Sequence, residues 1–250
     1  MSIEILYGRH AIHEALRARR RKFYTLNVAS GTKQVGLVAD LLELAQRAKC
    51  RIQQVDRLQF DRLLPDVNHQ GVALEAGPYP YATLDQAFEA ATQRSEAPLF
   101  LILDHLEDPQ NVGTLLRTAE AMAVHGVILP DRRSAAITPA VCNASSGAVE
   151  HLRIVQVTNI ARTQEELKRR NVWLAGLDDQ PQARDLLHSD LSGALALVVG
   201  AEGSGLSRLA REQCDWLVRI PMLGQVGSLN AAVAGSVALV AARAARTPTS

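Results

Sequence analysis

Residues 195–206 read LALVVGAEGSGL. Five apolar residues in an unbroken run do not alternate as a strand wet on one face would. A run of this length stopped by glycine fits a strand buried on both faces, as in a parallel sheet covered by helices. Glycine, an acidic residue and two further glycines then make a tight turn rich in free backbone N–H groups. The same pattern recurs at Leu99–Leu103 (LFLIL), which ends in Asp104, and at Gly126–Leu129, stopped by Pro130. Arg153–Val157, Val172–Leu177 and Trp216–Ile220 read as further strands, with helices over Thr114–Ala123 and Gln164–Arg170 between them. Strands alternating with helices predict an α/β domain on a parallel sheet over 99–250.

Upstream, residues 1–76 alternate on a smaller scale. Helices are expected at His10–Arg19, Val35–Ala48 and Leu58–Leu64, and strands at Phe23–Ala29, Arg51–Val55 and Gly71–Ala76. This predicts a small α/β unit. Residues 77–98 open with Gly77, Pro78 and Pro80 and close at Pro98 around a short helical pattern, which reads as a linker.

Composition bounds the function. The 250 residues carry 27 Lys/Arg against 26 Asp/Glu, so the total charge says little. Its distribution says more: residues 1–76 hold 12 basic against 8 acidic residues, while the remainder is slightly acidic. The densest basic run, Arg17 to Lys22, fits either a solvated helix end or a phosphate contact. Aromatics are only 4%, which argues mildly against a base-stacking platform. Cys50, Cys142 and Cys214 are far apart, which excludes a zinc ribbon, and no metal site is expected. No apolar run is long enough for a bilayer, and MSIEILYGRH lacks a signal-peptide core. A cytoplasmic protein with reduced thiols and no membrane partner is the expectation.

In open α/β sheets, ligands sit beyond the carboxyl ends of the strands. Three such ends are unusual here. In LDHLEDPQNVGTLLRTAEA (103–121), Asp108 is a candidate cap, Asn111 follows, and Arg117 is expected on the first turns of a helix, where a cation opposes the dipole. In LALVVGAEGSGL, Glu202 stands in the turn, with neither a GK[ST] phosphate loop nor a GxGxxG fingerprint. In RIPMLGQVGSLNAAVAGSVALV (219–240), Ser228 is the expected cap of a helix built almost wholly of small residues, with Asn230 just inside it. Small residues on most faces of a helix mean a close approach by another backbone, a partner or a ligand.

Together, DxxxDPxNxGxxxRTA, VVGAEGSGL and IPMxGxxxSLNxAVA resemble the three ordered motifs of the SpoU branch of the SPOUT RNA 2′-O-ribose methyltransferases. YGRHAIHEAL and HQGVALEA resemble the ends of the small substrate-binding domain that precedes catalysis in this family. RRSAAITPAVCNASSGAVEHLRIVQVTNIART is similar to the middle of bacterial members that methylate a 23S rRNA guanosine.

The resemblance implies a deep trefoil knot in the C-terminal domain, a homodimer, and S-adenosylmethionine as cofactor. It implies cofactor contacts at Gly200, Ile220, Met222 and Leu229. It implies a catalytic set of Arg117, Asn111, Glu202, Ser228 and Asn230. A guanidinium keeps its proton under ordinary conditions, so Arg117 suits orientation and charge stabilisation better than proton abstraction. One departure is plain: the family commonly reads SLNVSVA, whereas Ala231 and Ala232 stand here. Other readings are a tRNA 2′-O-methyltransferase, a non-catalytic RNA-binding factor that retains the fold, and a nucleotide-binding oxidoreductase. The missing dinucleotide fingerprint disfavours the last.

Overall fold

The computed structural model describes residues 2–246. In chain order the first elements are β1 (Glu4–Tyr7), α1 (Arg9–Ala18), β2 (Phe23–Ala29), α2 (Leu37–Arg47), β3 (Arg51–Val55), α3 (Arg57–Leu63) and β4 (Val72–Ala76). Next come α4 (Leu84–Gln93), β5 (Leu99–Asp104), α5 (Pro109–Ala121), β6 (Gly126–Pro130), α6 (Pro139–Ala144) and β7 (Ile154–Val157). The last are α7 (Ile160–Arg169), β8 (Trp173–Leu177), β9 (Arg184–Asp185), β10 (Leu195–Gly200), α8 (Arg208–Gln213), β11 (Trp216–Arg219) and α9 (Ala231–Ala244).

The chain forms two compact units. One comprises the chain up to Pro80 together with Ile137–His151; the other comprises Tyr81–Ala136 and the chain from Leu152 onward. The return of 137–151 to the first unit has no counterpart in the sequence reading, which ran the second domain unbroken from 99. Its physical basis is a buried ion cluster. The Arg21 side chain is fully buried and pairs with the equally buried Glu150 at 2.7 Å and with Glu4 at 2.5 Å. Cys142 also lies 3.3 Å from the Arg21 guanidinium. Arg20 donates to the Tyr79 hydroxyl and to the Glu150 and Pro80 carbonyls. The basic run is therefore neither wholly solvated nor wholly a phosphate surface: Arg21 is structural.

The first unit's sheet runs β1-β4-β2-β3, with β2 and β3 parallel and the β4 pairings antiparallel. Leu6, Leu26, Leu74, Ile12 and Leu41 fill its interior.

The second unit's sheet runs β7-β6-β5-β10-β8-β11-β9, and each of these pairings is parallel. Every residue of β5, β6 and β10 is buried, as unbroken apolar runs require. Phe100, Ile102, Ile128, Leu174, Ala196 and Val198 pack on one face with Ala87 of α4, Leu167 of α7 and Ala210 of α8. The expected linker 77–98 thus contributes a core helix. A Thr83–Gln86 capping box starts it, and Ala87, Ala90 and Ala91 are buried.

On the opposite face α5 and α9 pack together. A Cβ at Gly235 would lie 2.5 Å from Leu115 Cδ2 and 3.1 Å from Val199 Cγ2. Thr118 and Ser236 meet hydroxyl to hydroxyl at 2.9 Å. This is one reason for the small residues of α9: its backbone sits directly on α5 and β10. The far end of α9 is held by Arg243, paired with Glu96 at 2.7 Å, and by Arg246, which donates to the Ala97 and Pro98 carbonyls.

Candidate active site

The carboxyl ends of the central strands β5 and β10 are adjacent, with Gly200 in register with Asp104. Beyond β10 the chain folds into a tight hairpin. Ala201 and Gly205 exchange backbone hydrogen bonds at 3.1 and 2.9 Å, and Gly203 and Gly205 take φ of 80° and 65°. Gly200 tolerates no side chain, because a Cβ there would collide with the Gly205 and Leu206 backbone. Glu202 stands exposed in this hairpin, not in a helix.

Asp104 fixes the hairpin's exit. Its buried carboxylate accepts the Ser207 N–H at 2.7 Å and the His105 Nδ1–H at 2.6 Å. The sequence shows Asp104 ending a wholly apolar strand, and that contrast was the available signal for its role.

α5 begins at Pro109, earlier than the periodicity suggests, because Asp108 caps it by accepting from the Gln110 and Asn111 N–H groups. Asn111 is therefore in the first turn. Arg117, expected on the first turns, is the ninth residue of a 13-residue helix and lies away from the positive dipole end. It is exposed. It lies six positions beyond Asn111, about 9 Å along the axis.

The cap of α9 is also corrected. Asn230, not Ser228, is the N-cap: its Oδ1 accepts from the Ala232 and Val233 N–H groups. Its Nδ2 is left to donate elsewhere. It donates to Asn111 Oδ1 at 3.0 Å and to Glu202 Oε2 at 3.4 Å, while Asn111 Nδ2 donates to the same Glu202 oxygen at 3.0 Å. One residue from each of the three motifs thus closes a polar triangle.

The other expected residues surround this triangle less tightly. Ser228, Leu229 and Met222 lie in the exposed loop 221–230, Ile220 is half-buried, and Gly200 is buried at its strand end. Open space adjoins Gly203, Gly224 and Gly227, and Leu223 is 98% exposed. Bare glycine backbone beside unpacked apolar side chains fits a flat, partly apolar cofactor. A cavity of about 620 Å³ adjoins the triangle, lined by Asn111, Glu202, Asp104, His105 and Arg133 among others. Arg133 was not singled out from the sequence, although an arginine pair just past the Pro130 strand end was the signal.

Known proteins resemble this chain over most of its length. Residues 98–240 match the model of the SpoU rRNA methylase family, and 5–82 match the RNA 2′-O ribose methyltransferase substrate-binding model. The Bacillus subtilis protein YacO, described as a TrmH family tRNA/rRNA methyltransferase, is 41% identical over 98% of this chain and 97% of its own. The SpoU methyltransferase AviRb of Streptomyces viridochromogenes, solved with S-adenosylmethionine, superposes with a TM-score of 0.79 at 24% identity, covering 97% of this chain and 90% of that one. A cofactor-bound rRNA methyltransferase of Sinorhizobium meliloti gives 0.76 at 23%, covering 97% and 87%.

Proposed function

This chain belongs to the SpoU family of S-adenosylmethionine-dependent RNA methyltransferases, and we propose from that premise that it methylates the ribose 2′-hydroxyl of a 23S rRNA guanosine. The observation that carries this reading is the Asn111–Glu202–Asn230 triangle, which draws one residue from each motif to the ends of the central strands. The substrate-binding match over 5–82 supports a large structured RNA as the target.

S-adenosylmethionine supplies the methyl group from its sulfonium. The chain's residues would align the ribose 2′-hydroxyl with that carbon, the sulfur would leave neutral, and the hydroxyl proton would pass to water. No acid is needed for the leaving group, so the protein's work is alignment and charge stabilisation. Arg117 orients the ribose and its phosphate and stabilises the developing negative charge on the oxygen. Asn111, Glu202, Ser228 and Asn230 hold Arg117 and the ribose in register. Gly200, Ile220, Met222 and Leu229 would hold the cofactor through backbone and apolar contacts.

A homodimer through α9 belongs to the same reading. Val233, Val237 and Val240 lie on one open face of α9 and are 45%, 38% and 51% exposed, while Val226 in the preceding loop is 69% exposed. Apolar surface of that extent favours a partner.

The test is methyl transfer from labelled S-adenosylmethionine to 23S rRNA, 16S rRNA and bulk tRNA taken from cells lacking the enzyme. Label in a 23S 2′-O-methylguanosine is expected. Label in tRNA instead would overturn the substrate, and label on a base would overturn the 2′-O chemistry.

A further inference from the structure

Methyl transfer to a hydroxyl releases one proton for each methyl that arrives. The residues drawn from the three motifs offer little to receive it. Arg117 holds its own proton, and Glu202 Oε2 already accepts from Asn111 and Asn230. The cavity beside their triangle contains a further group, His105.

His105 directly follows β5. Its neighbour Asp104 is in register with Gly200 at the end of β10, and adjacent strands lie about 4.8 Å apart. The imidazole therefore stands at the strand ends where the expected cofactor contacts begin. It lines the cavity of about 620 Å³ together with Asn111 and Glu202, and also a second cavity of about 300 Å³.

The Asp104 carboxylate is fully buried, whereas the imidazole it holds is 40% exposed. In the other described histidine–carboxylate pairs the carboxylate is itself open to solvent: Glu14 beside His13 and His151, Asp61 beside His69, Asp185 beside His188, and Glu96 beside His125. Asp104 commits one oxygen to the Ser207 N–H at 2.7 Å and the other to His105 Nδ1 at 2.6 Å. A carboxylate can only accept, so Nδ1 carries the hydrogen and Nε2 of the neutral ring keeps its lone pair. Among the described residues no group hydrogen-bonds Nε2.

We infer that His105 is the proton acceptor for the methylated hydroxyl. The 2′-hydroxyl proton passes to a water in the cavity, and that water passes a proton to Nε2. The imidazolium is held against the buried Asp104 carboxylate, as in a histidine–aspartate pair that assists a nucleophilic hydroxyl. The ring returns the proton to solvent through its exposed side once the methylated RNA leaves. The inference rests on the 2′-O reading of this same site.

The test is single-turnover methyl transfer from labelled S-adenosylmethionine to 23S rRNA of cells lacking the enzyme, across roughly pH 5 to 8, where an imidazole changes charge. The wild-type rate is expected to rise with pH and level off. His105→Asn suits the residue's φ of 61°, a backbone that asparagine tolerates. It is expected to lower the plateau about 100-fold and to lose the inflection, with S-adenosylmethionine affinity and thermal midpoint unchanged. His105→Gly is expected to regain at least about tenfold in rate on addition of imidazole. His188→Asn, at a surface pair, is expected to change neither rate nor profile. Glu107, Asp108, Glu202 and Arg133 also face the larger cavity, and Asp131 and Arg132 the smaller. None of these is an imidazole, so an inflection abolished by His105→Asn belongs to His105. His105→Asn with the wild-type rate and profile overturns the inference and leaves the 2′-O reading intact. A slow His105→Asn that keeps the inflection, with no imidazole rescue of His105→Gly, assigns His105 a structural role and overturns it too. Wild-type label on a base, or in no RNA, overturns the 2′-O reading and the inference together.

Discussion

Asn230 Nδ2 donates to Asn111 Oδ1 at 3.0 Å across 119 residues of chain, so the cap of α9 and the first turn of α5 are one polar unit. The same Asn230 side chain caps its helix through Oδ1. Its two ends do two jobs, and they can be separated.

Asn230→Asp keeps the capping oxygen, removes the Nδ2 donor and sets a second carboxylate beside Glu202. Stability is expected to hold within about 0.5 kcal/mol while turnover collapses; Asn230→Ala is expected to lose both, with about 1 kcal/mol of stability gone. Thermal melting beside methyl-transfer rates checks this, and equal destabilisation in the two variants would sink the division of roles.

Arg117→Ala is expected to lower kcat at least about 100-fold while leaving S-adenosylmethionine affinity unchanged, because a group used only for charge and alignment in the transition state contributes little to cofactor binding. Arg117→Lys should recover little, since an ammonium lacks the planar fork that fits a phosphate. Turnover near the wild-type rate in Arg117→Ala would remove Arg117 from the mechanism, and in Arg117→Lys it would show that the charge suffices without the fork.

The glycines differ in what a methyl group would meet. Gly235→Ala pushes against the Leu115 side chain, which can move, and about 1–3 kcal/mol of stability is expected to be lost. Gly200→Ala meets the Gly205 backbone, which cannot move without displacing Glu202. It should destabilise more and also abolish activity, measured by denaturant unfolding and single-turnover assays.

Arg21→Ala leaves Glu150 fully buried without its cation, a change expected to cost about 3–5 kcal/mol. Combining it with Glu150→Leu should recover part of that loss, since the uncompensated charge is gone. A double variant no more stable than Arg21→Ala alone would mean that the cost comes from packing.

His125 gives the fold an acid sensitivity. Burial pushes its pKa down to about 4, and its Nδ1 accepts the Leu99 N–H at 3.0 Å. The unfolded chain takes the proton near pH 6.5, whereas the folded chain refuses it until about 4, so protonation favours unfolding. Stability is expected to fall by about 3 kcal/mol as pH drops from 6.5 to 4. Chemical denaturation across that range should show the slope, and His125→Gln should flatten it.

Sequence alone determined the parallel α/β core and the three motifs, because both are local. A strand buried on both faces must be apolar throughout, as Leu99–Leu103 and Leu195–Val199 are, and a tight turn must spend glycines in order. Features that depend on distant partners were not legible. Ser228 and Asn230 are both good caps, and only the meeting with Asn111 and Glu202 selects Asn230. Arg21 looks like its neighbours in a basic run until Glu150, 129 residues later, draws it inside. The small residues of α9 signalled a close approach but not to what; Leu115 and Val199 supply the answer. Periodicity records which face of an element is buried, while the tertiary structure decides which charges and amides from remote segments neutralise one another there.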